Sequence, residues 1–212
     1  MSALQIVWFK RDLRTVDHRP LMEAIKRGPV LPLYVVEPEL WQQPDTSERQ
    51  WLFCQESLLD LQRALAEFGQ PLVVRSGDVV DVLERARRLF GIGALWSHEE
   101  TGNGWTYQRD KRVAAWAKQQ DIPWTEIPQF GVTRRLKSRN GWAKRWEAQM
   151  AESLCPSPTS LPKMKATKYL NPLWYRAITI TTPSRRSNSE RTRIVFIEQL
   201  VNRFKTFPTP VS

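Results

Sequence analysis

Ile6-Val7-Trp8-Phe9-Lys10-Arg11-Asp12-Leu13-Arg14 is the stretch whose reading decides the fold of this 212-residue chain. Ile6 to Phe9 are β-branched or aromatic with no polar break, the composition of a strand buried on both faces of a parallel sheet. Lys10, Arg11 and Arg14, with Asp12 among them, follow at its C-terminal end. Open α/β sheets bind ligands outside the carboxyl ends of their strands. A first strand that runs into fixed positive charge is therefore a candidate anion or cofactor site. The plainer alternative is a solvated turn in which Asp12 pairs with a neighbouring arginine.

Working outward, strands and helices alternate. Asp17 is placed to cap a helix over residues 20–27, with Pro20 in its first turn and Gly28 beyond its end. Residues 30–36 form a second apolar strand, with Pro32 expected near its start or at a bulge. Asp45 and Glu48 have the spacing of a capping box. Trp51, Cys54, Leu58, Leu61, Leu65 and Phe68 then recur at steps of three and four, one apolar helix face that ends at Gly69. Cys54 on that face reads as a small core residue. A third strand spans residues 72–75. The next helix presents Val79, Val82, Leu83, Ala86, Leu89 and Phe90 to the core. Residues 94–97 make a fourth strand, residues 105–120 a helix with Val113, Trp116 and Ala117 inward, and residues 123–127 a fifth strand. Such alternation predicts an α/β fold, a five-stranded parallel doubly wound (Rossmann-like) sheet with helices on both faces.

Beyond residue 130 the pattern changes. Residues 1–130 carry 16 Lys and Arg against 18 Asp and Glu, whereas residues 131–212 carry 16 against 4. The chain is thus predicted to divide into an α/β domain (1–130), a basic linker with a short helix around Trp142 and Trp146 (131–160), and a divergent, poorly structured basic tail (161–212). One short amphipathic helix is expected in the tail, through Ile194, Ile197, Leu200, Val201 and Phe204. Clustered positive charge suits contact with nucleic acid or another acidic partner; the alternative is an unstructured basic tail with no dedicated ligand.

Several functions are excluded. No apolar run approaches membrane-spanning length, and no basic-then-apolar leader opens the chain, so a cytoplasmic protein with no membrane partner is expected. Cys54 and Cys155, with His18 and His98, lack the spacing of a structural zinc site. Neither the G-x-G-x-x-G dinucleotide fingerprint nor a P-loop nor the G-x-S-x-G elbow is present. What remains is the polar loop Ser97-His98-Glu99-Glu100 after the fourth strand, at the same sheet edge as Lys10 to Arg14. Arg109 and Asp110 on the next helix are placed to join it. Carboxylates and arginines meeting there would hold a polar ring system through charge-assisted hydrogen bonds; the alternative is a surface ion-pair network.

These residues also carry a resemblance. Trp8-Phe9-Lys10-Arg11-Asp12-Leu13-Arg14 with Val16-Asp17-His18 and Pro20-Leu21 resembles the opening of DNA photolyases and cryptochromes. Leu33 to Pro38, Gly77-Asp78, Trp96 to Glu100 and Tyr107 to Asp110 continue it in order. It covers residues 4–150 and corresponds to the N-terminal α/β domain of that family. The resemblance implies a site for an antenna chromophore, a folate or a deazaflavin, with Phe9, Lys10, Arg11, Arg14, Tyr34, Glu99 and Arg109 at the matching positions. It implies no catalytic residue and no metal in this segment. The family's light-driven repair of pyrimidine dimers, or its blue-light sensing, belongs to a helical domain that binds FAD. Motifs of that FAD site are not recognised in residues 151–212, which would fit a truncated gene or a shifted reading frame. The expectation is a chain that is not repair-competent alone, with FAD on a separate helical chain as partner. The alternative is a non-catalytic nucleotide- or flavin-binding module whose basic tail binds DNA. Trp105, Trp124 and Phe130 would then be exposed where a helical partner is missing.

Overall fold

In a computed structural model that describes residues 3–164 apart from 131, 133, 135 and 137, all five expected strands form. They are β1 (Gln5–Phe9), β2 (Val30–Val36), β3 (Val73–Ser76), β4 (Ala94–His98) and β5 (Trp124–Ile127). They make one parallel sheet in the order β3-β2-β1-β4-β5. The chain winds outward from β1 to β3, then returns to β4 on the other side of β1. The switch point thus lies between β1 and β4, where a ligand crevice is expected.

The helices are α1 (Arg19–Ile25), α2 (Glu48–Glu67), α3 (Val79–Phe90), α4 (Gly104–Gln119) and α5 (Trp142–Met150). Alternation along the strands divides the core in two. Ile6, Trp8, Leu33 and Leu95 pack against Val82, Leu83, Val113 and Trp116 of α3 and α4. Val7, Phe9, Val36 and Trp96 pack against Leu21 of α1 and Leu58, Leu61 and Leu65 of α2. Every residue of β1 and β2 is buried, which is why both read as unbroken apolar runs. Pro32 is tolerated because pairing with β3 begins only at Leu33, so β2 has β1 alone beside it at that level.

Local differences from the sequence reading have physical causes. Asp17 adopts a left-handed backbone (φ 51°), and His18 is the N-cap of α1, with Nδ1 accepting from Leu21 N–H. The cap of α2 is Ser47, whose hydroxyl oxygen accepts from Gln50 N–H. Asp45 instead accepts from the Asn103 amide at the start of α4. Leu89 faces solvent, at the outer limit of the apolar arc of α3. Trp105 and Trp124 are half-buried against the domain, and only Phe130 of the three aromatics expected on the surface is exposed.

The boundary at residue 161 also shifts. Leu161 and Met164 are buried, one in each half of the core, so the chain crosses beneath the N-terminal ends of the strands. Leu161 N–H donates to Phe68 O (2.8 Å) and Val30 N–H to Pro162 O (3.2 Å). Earlier, Cys155 and Asp17 exchange backbone and side-chain hydrogen bonds. The proline-rich stretch is a strap over the domain, not a free linker. The helix expected at residues 194–204 and the rest of the basic tail lie outside the described residues. Among the described residues, no helix is long and apolar enough to cross a membrane.

Candidate cofactor site at the C-terminal edge of the sheet

The charged turn after β1 is folded inward. Asp12 is buried; its Oδ1 accepts from Lys10 N–H (2.8 Å). Its Oδ2 receives His18 Nε2 (2.8 Å) and His98 Nδ1 (2.6 Å). Because His18 Nδ1 accepts from Leu21 N–H, Nε2 carries the ring proton and donates to Asp12. Burial pushes the Asp12 carboxyl up, but the hydrogen bonds from His18 and His98 outweigh it and hold Asp12 well below the usual carboxylate range. Burial pushes His18 down, so the imidazole is neutral.

The ligand atoms of Asp12, His18 and His98 lie within 4.8 Å of one another, close enough to surround a metal ion. The tautomer argues against it. A neutral His18 that accepts at Nδ1 has no lone pair at Nε2 to offer a metal. The cluster is a hydrogen-bonded triad that ties β1, α1 and β4 together across the switch point.

Beside the triad lies a second buried network. Lys10 Nζ meets Asp110 Oδ2 (3.0 Å) and Glu126 Oε1 (3.3 Å) and sits 4.6 Å over the Trp8 ring. Arg109 donates to Glu37 Oε2 (2.9 Å), to Asp110 Oδ1 and to Glu100, and covers the Trp8 ring at 4.8 Å. Burial alone would lower the pKa of Arg109; Glu37, Glu100 and Asp110 outweigh it and raise it further. Of the three carboxylates around this guanidinium, Asp110 is shared with Lys10 and Glu100 with Arg11. Glu37 is 4% exposed, and its Oε1 has no hydrogen-bond partner among the described residues. Burial, opposed by Arg109, pushes Glu37 up to about 7.

These groups floor a cavity of about 470 Å³ between the ends of β1 and β2 and the first turns of α2. That volume is in the range of small-molecule and cofactor pockets. Trp8, Phe9, Tyr34, Trp41 and Phe53 give it aromatic walls, and Glu37, Glu100 and Arg109 a charged floor. Arg11, with its side chain 59% exposed, bonds Glu100 through Nε (3.0 Å) at the rim, and Arg14 stands near it. Tyr34 OH lies 3.2 Å from Cys54 Sγ. Burial raises both groups, so hydroxyl and thiol are protonated. Cys54 is thus a wall of the cavity as well as a neighbour of the core, and an unreactive one.

Six of the seven sequence candidates (Phe9, Lys10, Arg11, Arg14, Tyr34 and Arg109) line the cavity. Glu99 does not. Its N–H continues the pairing with β5 through Ile127 O, and its carboxylate stands 3.8 Å from Arg134. β4 runs one residue further than expected, to His98, and the two-residue period turns Glu100 inward in place of Glu99. Sequence reasoning missed Glu37 and the wall from α2. A signal for that wall exists: Gln50, Phe53, Cys54 and Ser57 recur at helical spacing beside the apolar stripe.

An open parallel sheet with a half-apolar cavity at the carboxyl ends of its central strands is the architecture of the doubly wound α/β class. The chain belongs to the DNA photolyase family, whose model matches residues 5–132. It is 44% identical over 70 residues to a deoxyribodipyrimidine photo-lyase of Salmonella typhimurium, covering 32% of this chain and 15% of that one. It is 28% identical over 147 residues to a chloroplastic/mitochondrial cryptochrome DASH of Oryza sativa subsp. japonica, covering 66% and 24%. Among solved structures, an archaeal photolyase from Sulfolobus tokodaii, determined with two FAD molecules and described as implying a novel light-harvesting cofactor, shares the fold. The TM-score is 0.64 at 19% identity, over 91% of this chain and 45% of that one. The chain therefore spans less than a quarter of the length of these two curated relatives.

Proposed function

We propose that this domain holds an antenna chromophore, a planar heteroaromatic of the folate or deazaflavin class, in the cavity above β1 and β2. The observation that carries the reading is Glu37 Oε1: a buried polar atom with no hydrogen-bond partner among the described residues, on a residue that lines an aromatic-walled cavity of ligand size. A buried polar group of this kind costs free energy unless something meets it. Glu37, at home in either protonation state near neutral pH, offers a donor or an acceptor to the polar edge of a ring. Trp8, Phe9, Tyr34, Trp41 and Phe53 exclude water around the ring. Arg11 and Arg14 at the rim suit an anionic side arm. When bound, such a group supplies near-ultraviolet and blue absorption; its excitation would pass to FAD held by a helical partner. The Asp12 triad, hydrogen-bonded within the fold, positions the turn.

The test is a titration of the chain with a reduced folate, a deazaflavin and FAD in turn, followed by tryptophan fluorescence. Cys54→Trp fills the cavity from its wall. Saturable quenching by one of the three, abolished in a folded Cys54→Trp variant, is the expected result. Binding that survives the filling would place the ligand elsewhere.

A further inference from the structure

The connection from β2 to α2 (residues 38–47) forms part of the cavity wall and also bonds to the far side of the crevice. Leu40, Trp41, Asp45 and Thr46 of this connection line the cavity. It is braced as one piece: a 3-10 turn at Leu40–Gln42 begins it, and the Thr46 hydroxyl is shared between Gln43 O (2.7 Å) and Trp41 O (3.0 Å). Trp41 meets Trp51 of α2 edge-on, with ring centres 4.8 Å apart. At the tip, both carboxylate oxygens of Asp45 accept from Asn103 Nδ2 (2.9 and 3.1 Å). Asn103 follows β4, and β1 lies between β2 and β4 in the sheet, so this bond crosses the carboxyl end of β1. Phe53, in the second turn of α2, lines the cavity and yet is 72% exposed. The cavity therefore meets solvent next to this connection.

We propose that residues 38–47 are a lid over the cavity, latched by Asp45 on Asn103 and released to let a ligand in or out. Three features favour a gate over a fixed wall. First, the latch is exposed, so water replaces the bond when it breaks and no buried group is stranded. The cavity floor is held instead by buried pairs such as Arg109 with Glu37, whose rupture is costly. Second, the brace through Thr46 lets the connection move as a unit, and Ser47, with extended backbone (φ −142°, ψ 159°), is its joint to α2. Third, Asn103 keeps its place whether or not the lid is shut, because its Oδ1 accepts from Thr106 N–H and caps α4. Closure excludes water from a bound ring and slows its release. The gating of a ligand rests on the proposed reading of the cavity; the latch itself does not.

The Cys54 thiol in the cavity wall reports opening without any ligand. In the full chain carrying Cys155→Ser it is the one cysteine left, and its modification by a bulky maleimide is timed. Asn103→Asp keeps the cap of α4, since aspartate and asparagine cap about equally well, but sets a carboxylate against Asp45. It should speed modification about tenfold. Asp45→Asn with Asn103→Asp exchanges donor and acceptor and should restore the original rate, which also excludes misfolding as the cause. A rate indifferent to Asn103→Asp, or equally fast in the exchanged pair, would overturn the latch. The second measurement is the dissociation rate of whichever of a reduced folate, a deazaflavin or FAD binds. That rate should rise by a similar factor in Asn103→Asp and fall back in the exchanged pair; a rate that ignores both changes would overturn the gate. If none of the three binds while the thiol follows the latch, the lid stands and the chromophore reading falls.

Discussion

The two ends of the sheet are built by opposite rules. At the N-terminal ends of the strands, Leu161, Pro162 and Met164 pass beneath β2 and β3 and close the core with apolar side chains and backbone hydrogen bonds. At the C-terminal ends, Lys10, Asp12, Glu37, His98 and Arg109 are equally buried, yet all are charged or polar. Burial at the first end stabilises through area removed from water. Burial at the second end carries a desolvation cost that only complete pairing offsets. Pairing is complete at Asp12 and incomplete at Glu37. The difference separates an end that the fold closes by itself from one that, on the proposed reading, a ligand completes.

The largest expected effect comes from breaking the complete cluster. Asp12→Ala leaves two imidazoles and the Lys10 N–H without their common acceptor and should cost about 3–5 kcal/mol in urea unfolding, at about 1–3 kcal/mol for each buried donor left unpaired. A cost near that of a surface substitution would mean that the triad is not structural. Next, Leu161→Ala at the closed end should cost about 2–4 kcal/mol, the transfer and cavity terms of a buried leucine. If stability is unchanged, the strap is not part of the domain, and the contrast between the two ends fails.

Glu37 sharpens the comparison through pH. Its folded-state value is raised from 4.5 to about 7, so its contribution to stability is present below 4.5 and is lost as pH rises through about 7. His18 acts in the opposite sense. Its value is lowered from 6.5, so its contribution is present above 6.5 and is lost as pH falls. Glu37→Gln removes the first slope and keeps the second, and stability should then rise from about pH 5 to pH 7. A wild-type profile already identical to that of Glu37→Gln would show that Glu37 titrates normally. The smallest stability effect is expected from Arg11→Ala at the exposed rim, about 1 kcal/mol or less. The same change should weaken binding of a chromophore with an anionic arm, which separates a rim contact from a structural ion pair.

The strands were legible because burial on both faces demands unbroken apolar runs, and Ile6 to Phe9 and residues 30–36 have no other reading. Helix faces were legible from their period, as Trp51 to Leu65 show. Caps were less so: Asp17, Asp45 and Ser47 are all competent, and tertiary contacts chose among them. Asp45 was drawn to Asn103, leaving Ser47 at the helix end. Glu99 was named by the resemblance alone, whereas Glu100, in phase with Trp96 and His98 along β4, is the one that turns inward. The Asp12 triad was not legible at all, since His98 lies 86 residues from its partner. Nor was the strap, whose prolines and serines have the composition of a linker while Leu161 and Met164 do the packing.

The central claim is that the unfinished end of the sheet is finished by a light-absorbing cofactor. The direct measurement is the absorption spectrum of the full chain after incubation with a reduced folate, a deazaflavin and FAD in turn, each followed by gel filtration. A near-ultraviolet or violet band that co-elutes with the protein, and is lost in Cys54→Trp, is the predicted result. A colourless protein after all three would contradict the account and leave Glu37 as a buried group with no ligand to meet it.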